Sequence, residues 1–176
     1  MSFQNLQLPD FVLASLYKDS LVVPEETTSV PKNPIGTIVQ EEKKDWAWLG
    51  EHKKNISIIV NDPEAVFLRD EWLQLLSNML NACKLNLADV AIINSNKHNI
   101  TFAEVQQRLP SQFVLLFDVS TEVIGLPFSM PQYQLQQYSQ CIFLMAPSIR
   151  LMCENTQEAK LEKSKLWLSL KKMFNI

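Results

Sequence analysis

The chain has 176 residues, 47% of them hydrophobic and 20% charged, and a formal charge of -3. A chain of this length buries about 70% of its unfolded surface in one core, so it needs no metal or disulfide staple, and the composition excludes disorder over most of its length. The acidic balance disfavours strong direct binding to a nucleic-acid backbone, which draws on clustered Lys and Arg.

The opening residues, Met1-Ser2-Phe3-Gln4, do not form a basic region leading into an apolar run, and no apolar stretch approaches the ~18 residues of a membrane span. A cytoplasmic protein with no membrane contact is expected. Residues 1–23 form an apolar peptide in which Leu6, Leu8, Phe11, Leu13 and Leu16 are interspersed with polar positions. Residues 24–50 hold Pro24, Pro31, Pro34 and Gly36 among many charges, which is linker composition. They end in Asp45-Trp46-Ala47-Trp48-Leu49-Gly50, whose aromatics need cover.

Residues 51–176 read as a single α/β domain. Ile56-Ser57-Ile58-Ile59-Val60 is short, β-branched and apolar at both parities, as in a central strand covered on both faces. Similar runs occupy residues 90–93, 113–117 and 141–145. Between the first two, Trp72, Leu75, Leu76, Met79, Leu80 and Cys83 recur at helical spacing and predict an amphipathic helix. Thr101 and Glu104 form a capping-box pair for a second, shorter helix ending near Leu109-Pro110, with Ile100 and Val105 as its staple. Residues 121–140 are interrupted by Gly125, Pro127 and Pro131, predicting a loop followed by a helix through Tyr133, Leu135 and Tyr138. Asn155 as a cap, with Glu158 three positions on, opens a C-terminal helix through Leu161, Leu166, Trp167 and Phe174. Strands linked by helical crossovers run parallel and are covered on both faces. The expected architecture is a three-layer sandwich around a central, mainly parallel four-stranded sheet.

Ligands of such sheets bind at the carboxyl ends of the strands. Those ends carry Asn61-Asp62-Pro63, Asn94-Ser95-Asn96-Lys97-His98, Asp118-Val119-Ser120 and Ala146-Pro147-Ser148. Asp62 and Asp118 are candidate general bases, although an Asp after a strand more often caps a turn or a helix. His52 and His98, the two histidines, read as surface imidazoles. The three cysteines, Cys83, Cys141 and Cys153, lie in apolar periodic stretches, and their odd number favours reduced thiols over a disulfide or metal cluster. Ser148 has no recognisable base beside it. With three glycines in all and no G-x-G-x-x-G, P-loop, H-E-x-x-H or G-x-S-x-G, neither a cofactor nor a metal is expected.

The strand ends resemble those of the uracil-DNA glycosylase family. In that family the first strand runs into a G-Q-D-P-Y-H loop whose Asp positions water, and the last runs into H-P-S-P-L-S, whose His stabilises the leaving base. Here the matching segments are Val60-Asn61-Asp62-Pro63-Glu64-Ala65 and Ala146-Pro147-Ser148-Ile149-Arg150-Leu151. The D-P and P-S cores remain, while Glu64, Ala65 and Ala146 stand where the family has Tyr, His and His. Loss of the group that would stabilise a developing anion removes a term of several kcal/mol in typical active sites, roughly, so the resemblance implies no catalytic residue. Asp62, Pro63, Ala146, Pro147 and Ser148 are then vestigial-site positions.

A catalytically silent relative with this fold, the psi subunit of the bacterial DNA polymerase III holoenzyme, is the closer resemblance. Its pattern is a short N-terminal apolar peptide, a linker, a strand ending near N-D, a long helix and a C-terminal helix with Trp. The chain has Leu6, Leu8, Phe11 and Leu13, then residues 56–62, then 72–83, then Trp167. Phe11 stands where that family usually has Trp, and the linker is longer. The resemblance implies a non-enzymatic protein-interaction subunit in DNA replication, joining clamp-loader subunits to a chi-like subunit, with Leu6, Leu8, Phe11, Leu13 and Leu16 docking on the clamp loader. A mobile apolar peptide on a Pro-rich tether is a common way to capture a groove, and packing of the same side chains on their own domain is the alternative. The competing function is a DNA- or nucleotide-processing enzyme that uses Asp62 with Asn94 or Ser148.

Overall fold

A five-residue run buried at every position needs both faces of its sheet covered, and Ile56–Val60, apolar except for Ser57, meets that condition as strand β1. The computed structural model describes residues 46–176. The peptide 1–23 with its five candidate docking residues, and the linker as far as residue 45, lie outside the described residues. The elements that follow β1 are helix α1 (Asp70–Ala82), a 3-10 turn (Leu87–Asp89), β2 (Val90–Asn94), α2 (Phe102–Arg108), β3 (Phe113–Phe117), β4 (Leu135–Tyr138), β5 (Cys141–Ala146), α3 (Ile149–Cys153) and α4 (Gln157–Phe174).

Among the described residues the sheet has five strands in the order β2-β1-β3-β5-β4. Strands β1, β2, β3 and β5 are parallel, and β4 runs antiparallel to β5. Alternation along each strand splits the core in two. Ile58, Ile92, Leu115 and Leu144 face a layer made by α1, α3 and α4, which supply Trp72, Leu76, Met152, Leu166 and Leu170. Ile59, Ile93, Leu116 and Phe143 face a thinner layer made by α2 and the stretch after β3, with Phe102, Val105, Ile124 and Met130. The molecule is therefore α/β, with helices on both sides of a mostly parallel sheet.

The four-stranded expectation is corrected by β4. The predicted helix through Tyr133, Leu135 and Tyr138 is instead a short edge strand with all four residues exposed. Its register sets Tyr138 opposite Cys141, so Ser139 and Gln140 alone make the turn, both with left-handed backbone (φ 47° and 64°). That is the conformation of a two-residue hairpin loop, which usually announces itself with Asn-Gly or Asp-Gly. Neither residue here carries that signal. The C-terminal helix is capped by Thr156, whose hydroxyl accepts from the Ala159 N–H, rather than by Asn155. A separate short helix, α3, precedes it.

The capping box before α2 forms as expected. Thr101 Oγ1 accepts from the Glu104 N–H, and the Glu104 carboxylate accepts from the Thr101 N–H at 2.8 Å. Ile100 and Val105 are both fully buried beside it. Trp46 also finds cover, packing in the α2 layer with the Arg108 guanidinium 5.1 Å from its ring. Leu49 exchanges two main-chain hydrogen bonds with Ile92, so residues 46–50, linker by composition, lie against the edge of β2. Gly50 is required there because a Cβ would come within 2.1 Å of the Val90 carbonyl oxygen.

Candidate functional site

The register aligns Asn94, Val60, Phe117 and Ala146 along the carboxyl rim of the four parallel strands. Val60, Phe117 and Ala146 are at most 2% exposed and belong to the core with Ile149 and Met152. At this rim the apolar side chains are packed into the core on one face of the sheet. Asp118 follows it with left-handed backbone (φ 57°), its N–H donating to the Ala146 carbonyl.

Asp62 lies just beyond β1 and is 0% exposed. Its Oδ1 accepts from the Glu64 N–H at 3.1 Å, its Oδ2 accepts from the Arg69 N–H at 3.1 Å, and the Arg69 Nε–H lies 3.2 and 3.3 Å from the two oxygens. Burial alone would push this carboxyl up, but the Glu64 N–H, the Arg69 guanidinium and the Arg69 N–H outweigh it and hold the group below the usual carboxylate range. Arg69 occupies the N-cap position of α1 and offers no side-chain cap of its own. Asp62 therefore caps α1 from seven residues away, placing a negative charge where the helix dipole favours one. The Arg69 guanidinium also lies 4.2 Å above the Trp72 ring and pairs with Glu64 at 2.9 Å.

Asn94 is the second organiser, and the structure does bring it to Asp62. The contact is with the main chain and not with the carboxylate. Asn94 Nδ2 donates to the carbonyls of Asp62 and Ala65 at 2.7 and 2.9 Å, and its Oδ1 accepts from the N–H groups of Asp62 and Asn96. Lys97 Nζ donates to the carbonyl of exposed Pro63 at 2.6 Å, and Asn96 bonds Asn61. The loops after β1 and β2 are thus tied into one polar knot. An amide that bridges two main-chain segments orients a loop, and a carboxylate that already accepts from three N–H groups is held in place by them.

Ser148 is not part of this knot, because its hydroxyl accepts from the Arg150 N–H and caps α3. Pro147, half-buried, lines a groove of about 360 Å³ with Leu151, Ala159, Glu154, Glu158 and Glu162. Glu162 bonds the Tyr133 hydroxyl and pairs with Lys165 at 2.7 Å. Lys165 and Tyr133 hold its carboxyl below the ordinary range, whereas burial and the Glu162 carboxylate raise the Tyr133 phenol. Three carboxylates around this groove repel phosphate.

Neither imidazole hydrogen-bonds the Asp62 carboxylate, whose partners are Glu64 and Arg69. His98 is half-buried in the loop after β2. His52 is at the opposite end of the sheet, its Nε2 3.1 Å from Ser111 Oγ. Ser111 donates its one hydroxyl hydrogen to the Leu109 carbonyl at 2.7 Å, so it accepts both from Ser57 at 2.6 Å and from a protonated His52 Nε2. Burial lowers the His52 pKa below 6.5.

Cys83, Cys141 and Cys153 are free thiols, each pushed up in pKa by burial, which makes them poor nucleophiles. Among the described residues there is no His, Cys, Asp and Glu grouping able to hold a metal ion, and no helix is long and apolar enough to cross a membrane. Sequence alone does not point to Arg69, Ser57 or Ser111. The one available signal was an isolated Ser in an otherwise aliphatic strand, which has to find a hydrogen-bond partner when buried.

No protein-family model matches the chain, and no curated protein sequence matches it.

Proposed function

We propose that this chain is a non-enzymatic protein-interaction subunit, similar to the psi subunit of the bacterial DNA polymerase III holoenzyme and built on a glycosylase-like α/β sandwich. The observation that carries the proposal is the state of Asp62. Its carboxylate is fully buried and engaged by two main-chain N–H groups and a guanidinium, so it acts as a helix cap instead of a water-activating base. The Ala146 side chain supplies no proton donor at the rim, and its neighbours Phe117 and Val60 are buried in the core. The acidic groove beside Pro147 and the net charge of -3 also favour protein over nucleic acid as partner. In this proposal residues 1–23 engage the clamp loader, and the domain holds a chi-like subunit.

The test is co-purification with clamp-loader subunits of the same organism, using the full chain and a chain lacking residues 1–23. The full chain should co-elute and the shortened one should not. Absence of co-elution for both would refute the clamp-loader assignment. Excision of uracil from single-stranded DNA, abolished by Asp62→Ala, would restore the enzymatic alternative.

A further inference from the structure

Helix α4 carries Lys160, Lys163, Lys165, Lys171 and Lys172 against Glu158 and Glu162, in a chain with a formal charge of -3. Its core-facing side is defined by buried Ala159, Leu166, Ser169, Leu170 and Met173. On the opposite side, Leu161 and Leu168 stand one above the other, 60% and 59% exposed. Two helical turns separate them, about 10 Å along the axis. Helical periodicity sets Lys160 and Lys171 along one flank of this ridge and Lys165 and Lys172 along the other. Lys165 is paired with Glu162, and Lys171 lies 5.8 Å from the Trp167 ring.

We infer that this ridge docks an acidic amphipathic helix of a partner protein, whose apolar stripe covers Leu161 and Leu168 while carboxylates meet the lysines on both flanks. Charge complementarity selects this occupant. In a second copy packed antiparallel across the leucines, Lys160 would face Lys171 of the other copy, which is repulsive. A nucleic acid would leave both leucines without an apolar partner. A membrane surface is met by a wider apolar face, usually with aromatic residues, and this one offers two leucines. The inference rests on the protein-interaction proposal but not on the clamp-loader assignment.

The test is an NMR titration of the isotope-labelled full chain with a synthetic helical peptide bearing leucines at i, i+3 and i+7 flanked by glutamates. Amide shifts should concentrate on Leu161, Lys165, Leu168 and Lys172. The double change Leu161→Ser with Leu168→Ser should weaken binding at least about tenfold, as should Lys160→Glu with Lys172→Glu. Exposed positions of this kind leave the fold intact, and an unchanged spectrum elsewhere verifies that. Absence of shifts on α4, or equal shifts with a lysine-for-glutamate peptide, would overturn the inference. So would stronger shifts of the same residues by phosphatidylserine vesicles or a single-stranded oligonucleotide. Co-elution with the clamp loader is read separately, so either proposal can fail alone.

Discussion

Buried polar groups are organised at both ends of the parallel sheet, but by different chemistry. At the carboxyl end a full charge is buried, Asp62 with Arg69, and an amide from Asn94 locks the same loop. At the amino end Ser57, Ser111 and His52 form a hydrogen-bonded chain ending on the Leu109 carbonyl, and the buried Asp89 carboxylate accepts from the Asn86 N–H and pairs with exposed Lys54 at 3.7 Å. The carboxyl end is where α/β folds usually place a ligand. Here the buried Asp62 carboxylate paired with Arg69 is costly to disturb, because removal of one partner strands a buried donor or charge.

That comparison can be broken most directly at Asp62. Asp62→Ala is expected to cost about 3 kcal/mol, read by urea unfolding, since it leaves the Glu64 and Arg69 N–H groups without their acceptor. A loss under about 1 kcal/mol would mean the carboxylate is available for chemistry after all. The same carboxyl sets an acid limit. Its native pKa lies below the unfolded value, so its stabilisation is complete above about pH 4 and is lost as pH falls through the lowered native value. The decline should be absent in Asp62→Ala.

Asn94→Ala follows, at about 2 kcal/mol, because the amide satisfies two carbonyls and two N–H groups. Combined with Asp62→Ala it should cost less than the sum, since both act on one loop. Ser57→Ala should cost about 1 kcal/mol, as Ser111 keeps two other partners. The two ends are about 16 Å apart along a five-residue strand, so Ser57→Ala and Asp62→Ala should add. Strong coupling between them would show that the ends are not independent.

The smallest effect belongs to His52. Its native pKa is lowered by burial, so folding stability is complete above about pH 6.5 and falls as pH drops from there toward the lowered value. A shallow step in melting temperature in that window, missing in His52→Gln, is the expected result. The two ends thus titrate in separate ranges.

The parts of the fold legible from sequence are those written within a few neighbouring residues. Largely apolar runs at Ile56–Val60 and Phe113–Phe117 identify buried strands, and Thr101 with Glu104 identifies a helix start. Strand β4 was hidden because Ser139 and Gln140 adopt turn conformations that their side chains do not favour. The pairing of strands β1 and β5 with β3 supplies what local preference lacks there, since β5 offers β4 an edge to bond. At the candidate site, Asp62 and Asn94 stand out as polar residues after strands, while their partners do not.

From sequence alone came the α/β class, four of the five strands, the α1, α2 and α4 helices and the positions at the strand ends. Tertiary structure decided what those positions do. Whether Asp62 faces solvent or Arg69, and whether Ser57 meets Ser111 across 54 residues of chain, depends on strand register and helix docking. Periodicity is a local property of the chain, but the partner of a buried polar group is chosen only when the sheet has assembled around it.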